Sequence, residues 1–178
     1  STTDSLDPAT HENGMSTNIV YCYGNQLTEV GNDGQLIPEL AESYEASADA
    51  ATWTFKLRKG VEFHNGKTMD ADDVIASINH HRGEDSKSAA KGLLTPIKDI
   101  KKADKNTVVF ELDSGSGDWP FIMSDYHLPI LPNKDGKMDW QSEAGTGGYI
   151  IENYDPGVRF LAKKNPNYWK EGRGHFDS

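Results

Sequence analysis

The stretch from Leu36 to His81 constrains the fold most, because it sets a strand, a turn and a capped helix in fixed order. Trp53, Phe55 and Leu57 alternate with Thr52, Thr54, Lys56 and Arg58. That period of two belongs to a strand with one face in a core and the other in water. Gly60 interrupts the run, Val61 and Phe63 resume it, and Asn65-Gly66 marks a tight turn. Asp70 then stands before Ala71, with Asp73 three residues on and Val74, Ile75 and Ile78 beyond. This order predicts an N-cap, a capping-box acid at the third helical position, and the apolar stripe of a helix. Asp72 adds a carboxylate at the positive end of the helix dipole.

On either side the signals are weaker. Ser1 to Met15 is polar and turn-rich, with Leu6 as its large apolar anchor. Asn18 to Leu27 carries Ile19, Val20 and Leu27 with a spacing that fits helix or strand. Glu29 to Gln35 reads as a turn and Ser47 to Asp49 as a loop, while the small and charged run from Gly83 to Gly92 predicts an exposed arm. Ile97–Ile100 and Thr107–Leu112 flank a turn at Asp104-Lys105-Asn106, so a hairpin is expected, with Val108, Phe110 and Leu112 facing inward. Pro120 suits the first turn of a short helix carrying Phe121, Ile122 and Met123. Leu128 to Leu131, fenced by Pro129 and Pro132, reads as a short strand at an edge or crossing between units. Asn133 to Gly145 reads as polar loop with a helical turn around Trp140. A last hairpin is expected from Tyr149–Tyr154 and Val158–Lys163 about Asp155-Pro156-Gly157.

Charge narrows the partners. A net charge of -10 over 178 residues argues against nucleic acid or an anionic membrane surface. No apolar run is long enough to span a bilayer, and Cys22, the single cysteine, cannot form an intrachain disulfide. The six histidines invite a metal reading. His80 and His81, however, are adjacent on a helix, so their side chains diverge, and the pair reads as a solvated helix end. There is neither an H-E-x-x-H nor a Cys/His cluster of zinc spacing. Gly145 to Gly148 is not followed by Lys-Ser/Thr, so it is no P-loop and reads as a chain-reversing turn. Capping explains the spacing of Asp70, Asp72 and Asp73 without catalysis. A hydrolase or metal-enzyme domain would need convergent acids, bases or ligands in one pocket; a self-contained interaction module would need a closed core. No catalytic residue, metal ligand or cofactor is expected.

Several of these segments together resemble the family 5 extracellular solute-binding proteins, the peptide-, dipeptide- and nickel-type receptors of bacterial ABC importers. The resemblance rests on P-E-L-A-E-S-Y at Pro38–Tyr44, W-T-F-K-L-R-K-G-V-E-F-H-N-G at Trp53–Gly66 and the D-A-D-D-V helix start. It extends to T-D-S-L-D-P at Thr3–Pro8, G-T-G-G-Y at Gly145–Tyr149 and N-P-N-Y-W at Asn165–Trp169. Two positions depart from the family pattern: Asp70 stands for the usual Ser or Thr cap, and Gly148 for the usual Pro, which implies a looser turn.

The resemblance implies a mixed α/β fold of the type II periplasmic-binding kind. Residues 1–24 and 133–178 would belong to a discontinuous first lobe, and residues 25–132 to a smaller inserted lobe. Family members are a few times longer, so the resemblance further implies an N-terminal piece of a two-lobed receptor without its C-terminal lobe, located in the periplasm or otherwise outside the cytoplasm. The implied function is capture of a peptide-like solute for a membrane permease, with a sugar or a nickel complex as alternative cargo and no direct insertion into the membrane. The loop after L-D-P, comprising Glu12, Asn13, Gly14 and Met15, is implied to line the ligand cleft, as are Tyr126 and His127. One carboxylate, one amide, open backbone and one thioether suit a polar or zwitterionic organic solute better than a bare metal ion.

Overall fold

The computed structural model describes residues 24–84, 86–141, 144–155 and 159–170, together with Pro8. Its centre is an antiparallel four-stranded sheet in the order β3-β4-β6-β5, built from β3 (Ala41–Ala46), β4 (Thr52–Leu57), β5 (Ile97–Asp104) and β6 (Thr107–Leu112). Trp53, Phe55 and Leu57 alternate inward along β4, and Val108, Phe110 and Leu112 along β6, as their period of two predicts. The register sets Trp53 opposite Phe110 and Phe55 opposite Val108, so the apolar side chains of neighbouring strands share one face. Phe55 meets Phe110 edge-on with centroids 5.3 Å apart, and Phe110 meets Trp119 at 5.6 Å. A fully buried aromatic of this kind contributes about 2–3 kcal/mol by removal from water. Strand β5 is an edge, and exposed Lys98, Asp99, Lys101 and Lys102 place charge along it, which discourages pairing with another chain.

Helix α1 (Ala71–Asn79) lies on the inner face against β5 and β6 through Ala71, Val74 and Ile78. Its start is the expected capping box. The Asp70 side chain accepts from the backbone N–H groups of Asp72 and Asp73, and the Asp73 carboxylate accepts from the Asp70 N–H. Asp73 itself is fully buried, and its remaining oxygen valences are filled by Lys67 Nζ at 2.6 and 2.8 Å and by the backbone and side-chain N–H groups of Asn133 at 2.9 and 2.7 Å. A buried carboxylate is tolerable only when satisfied in this way.

The smaller elements attach around this core. Strands β1 (Thr28–Val30) and β2 (Leu36–Pro38) form a hairpin about the Gly31–Gln35 turn. Short helices α2 (Lys91–Leu94) and α3 (Trp119–Ile122) follow, the second with Pro120 in its first turn as predicted. Strands β9 (Tyr149–Asp155) and β10 (Arg159–Lys164) form the last expected hairpin.

Five details differ from the sequence reading. Residues 128–131 form no strand; they are an irregular segment whose Ile130 N–H donates to the Asn25 carbonyl at 2.9 Å. The loop after Pro132 contains a hairpin, β7 (Asn133–Lys134) with β8 (Lys137–Met138), which the positive φ of Asp135 and Gly136 makes possible. In the 83–92 run Ser88 and Ala90 are buried rather than exposed, because α2 folds this segment back on the core. His81 is also buried rather than solvated, with Nδ1 2.6 Å from Ser88 Oγ. Of Asn18–Leu27, residues 18–23 lie outside the described residues, and residues 24–27 form neither helix nor strand.

Candidate functional site

The site predicted from sequence divides in two. Glu12, Asn13, Gly14 and Met15 lie outside the described residues. Tyr126 and His127 stand side by side in the loop that follows α3, immediately before residues 128–131. Their rings are 3.9 Å apart at 34°, with Tyr126 half-buried and His127 buried. Asp125 Oδ1 accepts from the His127 backbone N–H at 2.9 Å and lies 2.7 Å from its Nδ1. A carboxylate only accepts, so this contact places a proton on Nδ1. Burial works to raise the Asp125 carboxyl, but the hydrogen bonds from His127 outweigh it and hold the group below its usual range.

A second set of polar groups gathers around Asn25. The Asn25 side chain accepts from Thr146 Oγ1 at 2.9 Å and from the Trp169 indole N–H at 3.1 Å, and donates to Glu39 at 3.0 Å. Lys170 Nζ reaches both oxygens of Glu39, at 2.8 and 3.0 Å, and Glu29 at 2.9 Å. Arg58 donates to the Glu39 carbonyl and lays its guanidinium 5.2 Å from the centre of the Trp169 ring. Two carboxylates thus share one ammonium, and Glu39 is 2% exposed. Its carboxyl is pushed up to about 7, chiefly by burial and then by the neighbouring Glu29, against the lowering pull of Lys170. Burial would lower Lys170, yet its bonds to Glu39 and Glu29 raise it.

The Gly145–Gly148 turn is pinned from the opposite side by His64. The His64 backbone N–H donates to the Gly145 carbonyl at 2.8 Å, and the Gly145 N–H donates to His64 Nδ1 at 3.2 Å. Since Nδ1 accepts, the proton sits on Nε2 and is donated to the Gly147 carbonyl at 2.9 Å. Burial lowers the His64 pKa, although the Gly147 bond works to raise it. Asn165 adds bonds to Gly147 and Gly148, so the turn is held on both sides.

Sequence reasoning did not single out Asn25, Glu29, Glu39, His64 or Lys170. The motifs P-E-L, F-H-N-G and N-P-N-Y-W contain or adjoin most of them, which is the signal that could have located them. Among the described residues no group of three or more His, Cys, Asp or Glu could hold a metal ion, and no helix is long and apolar enough to cross a membrane.

Comparison with known proteins agrees with this architecture. Residues 35–178 match the family model described as bacterial extracellular solute-binding proteins, family 5 Middle. Di/tripeptide-binding protein 1 of Pseudomonas aeruginosa is 29% identical over 193 residues, which cover 93% of this chain and 36% of that protein. Among solved structures, the periplasmic binding protein AgaA of A. tumefaciens R10, in complex with agropinic acid, overlays with a TM-score of 0.88 at 28% identity over 98% of this chain and 36% of its own. The DppA protein of Helicobacter pylori, in complex with the peptide STSA, overlays at 0.80 with 25% identity over 94% of this chain and 38% of its own. The chain therefore spans about a third of the length of the relatives it matches. The fold is that of the type II periplasmic binding proteins, and the family is one of solute receptors rather than of enzymes. This chain belongs to the family 5 bacterial extracellular solute-binding proteins.

Proposed function

We propose that this chain serves in the substrate-binding component of an ABC importer, taking up a peptide-like solute outside the cytoplasm and delivering it to a membrane permease. No chemistry is done on the solute: capture and a change of conformational equilibrium are the whole mechanism. The observation that carries this reading is the overlay along 94% of the chain with a receptor whose structure holds the peptide STSA. The name of the Pseudomonas relative, a di/tripeptide-binding protein, points the same way. Within this reading, residues 25–132 form the inserted lobe, and residues 1–24 and 133–178 belong to the first. The bond from Ile130 N–H to the Asn25 carbonyl, which joins the two crossing points, supports that division. Glu12, Asn13, Gly14 and Met15 would meet the solute together with Tyr126 and His127, the Glu12 carboxylate receiving an amine and Met15 a side chain.

A second reading is favoured by one observation. The AgaA overlay, at a TM-score of 0.88, belongs to a receptor holding agropinic acid, so a non-peptide organic acid is the competing cargo. Thermal-shift screening of the intact protein separates the two, since a ligand that binds only the folded state raises the melting temperature by mass action. Dipeptides and tripeptides are expected to raise it in a concentration-dependent way. A rise with agropinic acid, sugars or nickel salts and none with any peptide would overturn the peptide reading.

A further inference from the structure

Asp125 turns its carboxylate back onto the loop it begins. Its backbone N–H donates to the Ile122 carbonyl at 3.1 Å, and its own carbonyl accepts from Leu128 N–H at 3.0 Å, so the residue is fixed at both ends. From that position Oδ1 holds His127 twice, at the backbone N–H and at ring Nδ1, at 2.9 and 2.7 Å. The backbone contact fixes the carboxylate beside His127, and the 2.7 Å contact to Nδ1 then orients the imidazole. On that ring rests Tyr126, with centroids 3.9 Å apart, half-buried and therefore with part of its surface open.

We propose that Asp125 is a positioning residue for ligand capture: by fixing the His127 ring it holds the stacked Tyr126 ring in the orientation that meets the solute. This rests on the reading of Tyr126 and His127 as ligand contacts. The physical gain is preorganisation. A tyrosine whose rotamer is already set on folding loses little further freedom when a ligand packs on it. The charge of Asp125 belongs to the device, because it keeps the Nδ1 proton in place. It faces His127 from its own loop and His81 from the end of the α1 segment.

Two measurements on the intact protein test the proposal separately from the reading beneath it. The first needs no ligand: NMR of ring-labelled tyrosine and histidine in the wild type, Asp125→Ala and Asp125→Asn. Stacking should give Tyr126 a ring-current shift that Asp125→Ala loses. In Asp125→Asn, which keeps an acceptor without the charge, the His127 pKa should fall. The second is calorimetric titration with Ala-Ala and Ala-Ala-Ala. Tyr126→Ala and Asp125→Ala should each weaken binding by about tenfold or more. An unchanged Tyr126 shift in Asp125→Ala overturns the positioning role, whatever the affinities. So does full affinity in Asp125→Ala beside a weakened Tyr126→Ala. Full affinity in Tyr126→Ala, or no peptide binding by the wild type, removes the ligand reading and the proposal with it.

Discussion

At Gly115 the backbone passes so close to the carbonyl of Asp49 that an added Cβ would collide with main chain on the other side. The two loops involved are tied together there. Trp53 Nε1 donates to the carbonyls of Ala50 and Ser116, and Ser116 N–H donates to Ala50. Gly115→Ala must therefore push one loop off the other, and a loss of about 1–3 kcal/mol is expected in chemical denaturation. An unchanged midpoint would mean that the loops part at little cost. Asp70 offers a gentler case. Asp70→Ala removes the acceptor for two N–H groups of α1 and should cost about 1 kcal/mol, read as a shift in denaturation midpoint, while ligand affinity stays as it was.

At the scale of elements, the two clamps that tie the 145–170 segment to the rest of the chain respond to pH in opposite senses. His64 is held neutral by burial, with a folded pKa below the ordinary value of 6.5. Its contribution is full above that value and is lost as pH falls through the folded pKa, when the protonated ring can no longer accept from Gly145 N–H. Melting temperatures should fall below pH 6.5 more in the wild type than in His64→Gln, and equal slopes would count against the clamp. Glu39 behaves the other way. With its carboxyl raised to about 7 from 4.5, its contribution is full below 4.5 and fades as pH rises through about 7. Glu39→Gln should therefore gain on the wild type between pH 5 and pH 8, again by melting temperature; a constant difference would show that the shared ammonium of Lys170 suffices for both carboxylates.

How much of this was legible in the sequence depends on distance along the chain. The β4 strand, the capping box of α1, the β5–β6 hairpin and the β9–β10 hairpin follow from local patterns, because period, cap and turn residues act over a few positions. His81 was misread for the same reason. What buries it is the return of Ser88 and α2, which nothing near His80-His81 announces. The junction residues were invisible as a group, since Asn25 meets Trp169 across 144 positions and Lys170 meets Glu39 across 131. No periodicity encodes such a meeting. Of the candidate site, the sequence could point to Tyr126 and His127 only through resemblance, while the role of Asp125 needed geometry.

For the whole molecule, residues 25–64 are bonded to residues 145–170 at Asn25, at Glu39 and at His64. On the proposed reading, a receptor built on such a junction would trap its solute through a shift in conformational equilibrium, and the extent of that shift would be bounded by the difference in ligand affinity between states. The central claim is that the solute is peptide-like. Isothermal titration calorimetry of the intact protein with Ala-Ala and Ala-Ala-Ala, with agropinic acid and nickel chloride in parallel, tests it most directly. The account predicts one-to-one peptide binding at about micromolar Kd or tighter, with the peptide recovered uncleaved. Saturable heat from agropinic acid or nickel with none from either peptide, or recovery of the peptides as fragments, would contradict it.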